Sequence, residues 1–397
     1  MKNLIGPHGS EVLLPLYIKD NDVRQGLIQE SKSLKKITLN SSAASIAVML
    51  GAGYFTPLSG YMDKKNAISV AKSMITKDGL FWPVPIMNLC QCVAGIEVGD
   101  SIALLDPNID GNPPLAIQKI ESIEELSDDE INEIAKNVFG TNDANHPGVE
   151  NFLSCGKFLV AGDIQVLNYS YFPEEFPNTF ATAVEIRQKL ENLGWSKTVA
   201  FQTRNPMHRA HEELCKMALS GIKADGVLIH MTLGKLKEGD IPGDIRDRAI
   251  RKMVELYFPP NTAIISGFGF DMLYAGPREA LLHATFRQNC GCSHLIIGRD
   301  HAGVGDYYGA FDAQKIFDNP IVKKSLNIQI FAADHTAYSK KLKKVVMMRD
   351  VKNHAKEDFV LLSGTKVREM LSNGQELPLE FARKEVAEIL MDYYQSR

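Results

Sequence analysis

With 397 residues, 45% hydrophobic and 23% charged, the chain has the composition of a globular protein and the length for two or three domains, each burying its own core. A net charge of −4 argues against nucleic acid as an obligate partner, since that would require a basic face. No apolar run approaches a membrane span, and the first residues, Met1 to His8, lack the apolar stretch of a signal peptide, so a cytoplasmic protein away from membranes is expected. Six cysteines, at 90, 92, 155, 215, 290 and 292, do not form a disulfide framework in such a length. The pairs Cys90/Cys92 and Cys290/Cys292 could in principle meet as a four-thiolate metal site, but small buried thiols are the commoner outcome.

Residues 1–166 read as one unit, β-rich with an attached acidic helix around 128–136. A helix-like segment after Leu39-Asn40-Ser41-Ser42 stops at Gly51-Ala52-Gly53. Phe81-Trp82-Pro83-Val84-Pro85 must be extended, because each residue before a proline is pushed out of the helical region. Val98-Gly99-Asp100 and Asp106-Pro107-Asn108 are turn signals between short apolar runs. No catalytic constellation is visible here, and a scaffold or interface role is expected.

Residues 167–327 change to strands alternating with helices. Strands are expected at 198–202, 226–231, 262–266, 293–298 and 327–331, with helices at 209–220, 244–257, 278–288 and 310–317. Apolar runs of that length with helical crossovers predict a parallel sheet covered on both faces, binding its ligand outside the carboxyl ends of the strands. Three strand ends are conspicuously polar. The first is Gln202-Thr203-Arg204-Asn205-Pro206-Met207-His208-Arg209-Ala210-His211. A polar loop between strand and helix suits a phosphate, because free N–H groups and the helix dipole point there, and Pro206 can fix the first helical turn. His208 and His211 are spaced to project from one helical face, and Arg204 offers a fork of donors for an oxyanion. The second is Gly298-Arg299-Asp300-His301-Ala302-Gly303-Val304-Gly305, where glycines allow close backbone approach and three ionisable groups in a row do not serve packing. The third, 232–242, is a charged loop that either closes over a ligand or is plain surface. Residues 328–397 form a last small unit with a basic run, Lys340-Lys341-Leu342-Lys343-Lys344, a capped helix start at Ser363-Gly364-Thr365-Lys366 and a final amphipathic helix at 381–394. The basic run reads as a solvated face.

The histidines lack local third and fourth ligands for zinc. With Arg204, Asn205 and Arg209 beside them, they fit hydrogen bonding to a triphosphate better than core packing. Nucleotidyl transfer needs mainly placement and neutralisation of charge. In that chemistry the imidazoles face a leaving pyrophosphate, Arg204 with Gln202 and Asn205 holds a small oxyanion, and Mg²⁺ rides on the phosphates.

The Gln202–His211 and Gly298–Gly303 motifs resemble the signature motifs of the ATP sulfurylase (sulfate adenylyltransferase) family. Tyr274-Ala275-Gly276-Pro277-Arg278-Glu279-Ala280, Gly239-Asp240-Ile241-Pro242, Ser363-Gly364-Thr365, Phe55-Thr56-Pro57-Leu58-Ser59-Gly60 and His146-Pro147-Gly148-Val149 resemble it too, in the same order. The resemblance implies an α/β protein with a PUA-like N-terminal domain, a Rossmann-like nucleotidyltransferase domain and a small C-terminal α/β domain. It implies conversion of ATP and sulfate to adenosine 5′-phosphosulfate (APS) and pyrophosphate, with MgATP, in a homodimer. Carried over by motif, Gln202, Arg204 and Ala302 contact sulfate, and Thr203, Arg204, Asn205, His208 and His211 are catalytic. Gln202 through Asn205, the two histidines, and Gly298, Arg299, Asp300 and His301 line the nucleotide, while Asp334-His335-Thr336-Ala337-Tyr338 closes over it. Two departures matter. Residues 339–354 lack the cysteines of the zinc ribbon found in many bacterial relatives, so no zinc is expected, and that lack leans toward the sulfur-oxidiser type, which runs the reaction toward ATP. No Gly-x-x-x-x-Gly-Lys-Ser/Thr loop accompanies the chain, so no fused kinase is expected. The alternative within enzymes is an adenylyl- or cytidylyltransferase with the same His-x-x-His loop and a phosphate-ester acceptor. An RNA-binding module built on the PUA-like fold is disfavoured by the charge.

Overall fold

The computed structural model describes residues 4–236 and 240–396, so Lys237, Glu238 and Gly239 of the charged loop, the last of them in a family-like motif, lie outside the described residues. In the amino-terminal unit, Lys35–Thr38 (β1), Ser101–Leu105 (β2), Pro114–Lys119 (β3) and Phe158–Val166 (β4) form the path of a sheet, β1 and β2 parallel and the rest antiparallel. The long β4 is its spine. Its first half pairs with Leu89–Cys90 and Ser122–Glu125, and its second half with β3 and Gly60–Tyr61. At the change of partner stands Gly162, at φ 140°, where an added Cβ would lie 1.9 Å from the Lys119 carbonyl oxygen, so only glycine allows the two halves to diverge.

This unit is more helical than the sequence suggested, with helices at Asn21–Ser31, Ser41–Gly51, Lys64–Ser73, Asp128–Phe139 and Pro147–Ser154. Each start is capped by a side chain on backbone N–H groups: Asp20, Asn40, Asp63, Ser127 and His146 in turn. Ser41–Gly51 is apolar all round and buried from Ala43 onward, which makes it an interior helix.

The second unit is built on five parallel strands, Thr198–Thr203 (β5), Gly226–Thr232 (β6), Ala263–Phe268 (β7), His294–Ile297 (β8) and Gln329–Ala332 (β9), in the order β7-β6-β5-β8-β9. The helices Arg209–Ile222 (α1), Gly243–Tyr257 (α2) and Pro277–Asn289 (α3) fill the crossovers. The strand order reverses between β5 and β8, so the two polar strand ends meet at the topological switch point where open α/β sheets bind ligands. One expectation needs correction. The helix expected over 310–317 is only one turn, Asp312–Lys315, running into a 3₁₀ turn at Ile316–Asp318, because Asn319 and Pro320 start a new short helix there. The last strand, β9, expected at 327–331, pairs with β8 through residues 329–332.

Helix α3 is buried from Glu279 to its end and ties the two units together. Asn289 accepts from the His8 N–H and donates to the carbonyls of Tyr54 and Thr56. Arg278 donates to the carbonyls of Val70 and Ala71, and the ring of His146 lies 3.1 Å from the Tyr274 carbonyl oxygen. The last part holds Thr336–Ser339 (β10), Lys344–Met347 (β11) and Phe359–Val360 (β12), an antiparallel sheet in the order β11-β10-β12, followed by helices Gly364–Ser372 (α4) and Lys384–Gln395 (α5). The basic run is the exposed turn between β10 and β11, with Lys341 paired to Asp358. Helix α5 lies on α2 through the Tyr257 hydroxyl, which donates to Glu385 at 2.6 Å.

Candidate functional site

The carboxyl ends of β5 and β8 open into a cavity of about 320 Å³. Its wall contains Gln202, Thr203, Arg204, Asn205, His208 and His211 from the first loop and Gly298, Arg299, Asp300, His301 and Ala302 from the second. Every expected site residue therefore meets in one place. Asp334, His335 and Thr336 complete the wall at the end of β9. Of the third loop, Asp240 and Ile241 line a neighbouring cavity under His208, beside Gly364, Arg368 and Phe381.

Pro206 does not open helix α1. The helix starts at Arg209 and His208 is its cap, with His208 Nδ1 accepting from the Ala210 N–H (3.3 Å) and His211 Nδ1 approached by the His208 N–H at 3.5 Å. This reciprocal capping turns both rings to the same side, their centroids 3.9 Å apart, and Phe381 stacks on His208 at 4.6 Å. Burial, with His211 and His335 nearby, holds His208 well below the ordinary imidazole range, and burial pushes His211 down to about 4. Both are thus neutral near pH 7. Because each Nδ1 faces a backbone N–H, the ring proton belongs on Nε2.

Arg204 lies over the Tyr274 ring at 5.0 Å. Its Nη1 is buried without a hydrogen-bond partner, and Nη2 reaches only the Gly303 carbonyl oxygen, at 3.5 Å. Gln202 Oε1 is likewise buried and unpaired. Thr203 is turned inward to its own loop, its hydroxyl donating to the Asn205 carbonyl oxygen at 2.6 Å and accepting from the Asn205 N–H. Arg299 and Asp300 are exposed on the rim and pair with each other at 3.1 Å. Asp300 and Ala302 both adopt left-handed backbone, φ 54° and 55°, and the Ala302 carbonyl accepts from the Gly276 N–H. A Cβ added at Gly298 would meet nothing within 4 Å, which leaves room against the backbone there. Gly303 and Gly305 instead line a separate cavity of about 240 Å³ on the far side of Arg204.

The sequence reading missed the layer beneath. Glu279, His283 and Arg287 are at most 1% exposed, spaced by four along one face of α3. His283 Nε2 lies 3.2 Å from Gln202 Nε2 and 3.5 Å from Glu279 Oε1, while its Nδ1 lies 3.1 Å from His301 Nε2. Burial pushes Glu279 up to about 7 against hydrogen bonds from the Leu273 and Ala275 N–H groups. The i, i+4 spacing of the ionisable residues Glu279, His283 and Arg287 was the available signal, though Arg278, Thr285, Gln288 and Asn289 make the helix polar elsewhere too. A second support holds the cap. Arg209 donates to the Leu379 carbonyl, and fully buried Glu212 on α1 accepts from Arg383 at 2.9 and 2.8 Å, which fixes the segment carrying Phe381. Among the described residues, no group of three or more His, Cys, Asp or Glu is placed to hold a metal ion, and none of their helices is long and apolar enough to cross a membrane. Cys90 neighbours Cys92 and Cys155, whereas Cys290 and Cys292 follow α3, so the two pairs do not meet.

Comparison with known proteins gives a consistent picture. Residues 177–393 match the family model ATP-sulfurylase, and residues 5–169 match that of a PUA-like domain. A sulfate adenylyltransferase of Alcanivorax borkumensis is 63% identical over 396 residues, covering 100% of this chain and 99% of that one. A sulfate adenylyltransferase of Allochromatium vinosum is 58% identical over 393 residues, with 99% of each covered. The solved structure of a hexameric APS kinase from Thiobacillus denitrificans shares the fold, with a TM-score of 0.76 at 23% identity over 98% of this chain and 69% of that one.

Proposed function

The chain belongs to the ATP sulfurylase family, and from that premise we propose that its cavity carries out sulfate adenylyl transfer, ATP and sulfate giving APS and pyrophosphate. The observation that carries the reading is Arg204, whose Nη1 is an unfilled donor beside two neutral imidazoles in one cavity. A buried donor left unpaired costs about 1–3 kcal/mol, which a bound oxyanion recovers. In the reaction a sulfate oxygen attacks the α-phosphorus, the bond from that phosphorus to the bridging oxygen breaks, and pyrophosphate leaves with the electron pair. No general base is needed, because the nucleophile is already an anion. Gln202, Arg204 and Ala302 hold the sulfate. His208 and His211 give Nε2–H bonds to the phosphate oxygens where charge grows, and the dipole of α1 adds to them; the first N–H groups of that helix are already taken, Arg209 by the Phe381 carbonyl, Ala210 by His208 Nδ1 and His211 by the His208 carbonyl. Thr203 shapes the loop through Asn205, and Gly298, Arg299, Asp300 and His301 line the nucleoside. MgATP is the nucleotide substrate, its ion carried by phosphate oxygens and water. The same groups serve the ATP-forming direction by microscopic reversibility. We adopt a cytoplasmic homodimer from the family resemblance, and units at 1–166, 167–327 and 328–397.

The test is product identity. ³¹P NMR of protein, MgATP, sulfate and pyrophosphatase should show APS accumulating in proportion to ATP lost. AMP or ADP in its place, or an adduct formed only when a phosphate ester is added, would overturn this reading.

A further inference from the structure

Beneath the acceptor pocket, Gln202, His283 and His301 form one hydrogen-bonded chain, with Glu279 at its side. Gln202 and His301 both line the cavity, and Gln202 is the one of the four that the proposed function places on the oxyanion. An amide has two faces, a donating NH₂ and an accepting C=O, and which one meets the ligand depends on what the other is bonded to. Two self-consistent patterns exist. In the first, Gln202 NH₂ donates to a bare His283 Nε2, His283 Nδ1–H donates to His301, and the Gln202 carbonyl oxygen is left over. In the second the amide is turned, its oxygen accepts from His283 Nε2–H, His301 Nε2–H donates to His283 Nδ1, and the NH₂ is left over for the ligand. Both rings are buried among Arg204 and Arg287, so each is neutral and one proton position dictates the next.

The two patterns select different anions. Sulfate carries no proton near neutral pH and can only accept, whereas inorganic phosphate retains at least one O–H and can donate. A pocket presenting a carbonyl oxygen rejects sulfate and tolerates phosphate, while a pocket made only of donors does the reverse. We propose that His283, held as the Nε2–H tautomer by Glu279, is a positioning residue that fixes the Gln202 amide with its NH₂ toward the oxyanion and thereby sets selectivity for sulfate over phosphate. This rests on the reading that Gln202 and Arg204 hold the sulfate. The Glu279 carboxyl is the deciding neighbour, because its Oε1 faces the same ring nitrogen as Gln202 and an acceptor there favours a proton on Nε2.

The experiment compares the sulfate KM, the inhibition constant of inorganic phosphate against sulfate, the ATP KM and thermal stability in four proteins: wild type, His283→Phe, His283→Gln and Gln202→Ala. In His283→Phe the amide is free to turn. The ratio of phosphate inhibition constant to sulfate KM should then fall by about tenfold or more, the worth of one buried hydrogen bond, with the ATP KM within about threefold of wild type. His283→Gln, whose amide offers a donor near the position of ring Nε2, should recover most of that ratio. Equal loss of sulfate and phosphate binding in His283→Phe, or an unchanged ratio, overturns the inference. Gln202→Ala separates the two levels: an unchanged sulfate KM there overturns the acceptor-site reading and this inference with it. A weakened sulfate KM in Gln202→Ala with an unmoved ratio in His283→Phe overturns this inference alone. Should His283→Phe not fold, ¹⁵N NMR of the wild-type ring with sulfate and a non-hydrolysable MgATP analogue decides. A protonated Nε2 supports the proposal and a protonated Nδ1 refutes it.

Discussion

Replacing Arg204 with alanine separates the energetics of the site from those of the fold. The guanidinium contributes little to the folded chain: one marginal bond to the Gly303 carbonyl oxygen at 3.5 Å and a position over Tyr274. Losing that ring contact costs about 0.5–1 kcal/mol, a change in Tm of about 2 °C. Toward a bound dianion the same group offers charge-assisted hydrogen bonds worth about 1.5–3 kcal/mol each. Water entering the vacated space recovers part of this, leaving a net loss of about 2–4 kcal/mol, or about 30- to 1000-fold in kcat/KM for sulfate. Arg204→Lys keeps the charge but loses the fork, so it should fall between the two. The assay is initial-rate pyrophosphate release at varied sulfate, alongside a thermal melt. Activity of Arg204→Ala within about threefold of wild type would refute the reasoning. So would a loss of activity that merely follows a loss of folded protein.

Three more outcomes follow. His208→Ala should lower kcat by about 10²-fold while leaving the sulfate KM nearly unchanged, because the role proposed for its Nε2–H is toward the phosphates; the opposite pattern means that its role is misassigned. Arg383→Ala leaves the buried Glu212 with Lys216 as its remaining ion-pair partner and should cost about 2–3 kcal/mol in a thermal melt, with kcat falling too as Phe381 loses its hold on His208. An unchanged melt would show the pair to be dispensable. The ligand-free protein should lose stability as pH falls from about 6.5 toward 4. His208, His211, His230, His283 and His301 all have folded pKa values lowered chiefly by burial, so the unfolded chain binds more protons in that window. For His211 alone, the drop from 6.5 to about 4 corresponds to about 3 kcal/mol. Glu279, pushed up to about 7, acts in the opposite sense between 4.5 and 7 and only trims the effect. A Tm that is flat or rising between pH 7 and 5 would contradict this.

Much of this molecule was legible because local chemistry and tertiary context agree at the strand ends. The run leading to Gln202 is apolar and β-branched, the residues after it are polar, and the chain forms a strand followed by a loop there. The five parallel strands fall within a few residues of their expected positions for the same reason. Helix starts in the first unit were harder to read, since Asp20, Asp63 and His146 cap through side-chain bonds that composition alone does not reveal. The cap at His208 defeated the reading of Pro206, because a histidine ring took the place usually held by a small polar side chain. Beneath the cavity, Glu279, His283 and Arg287 lie in a helix that is buried all round, where periodicity carries no contrast between faces. Phe381 reaches His208 across more than 170 residues, and no local pattern announces such a contact.

The most direct measurement is pyrophosphate release from MgATP by the purified protein, with and without sulfate, paired with ATP formation from APS and pyrophosphate. Release that depends on sulfate, together with ATP formation in the reverse assay, is the result expected of direct attack by sulfate on the α-phosphorus. Silence in both directions, from a folded protein that still binds ATP, would contradict it and move the acceptor to another class of nucleophile.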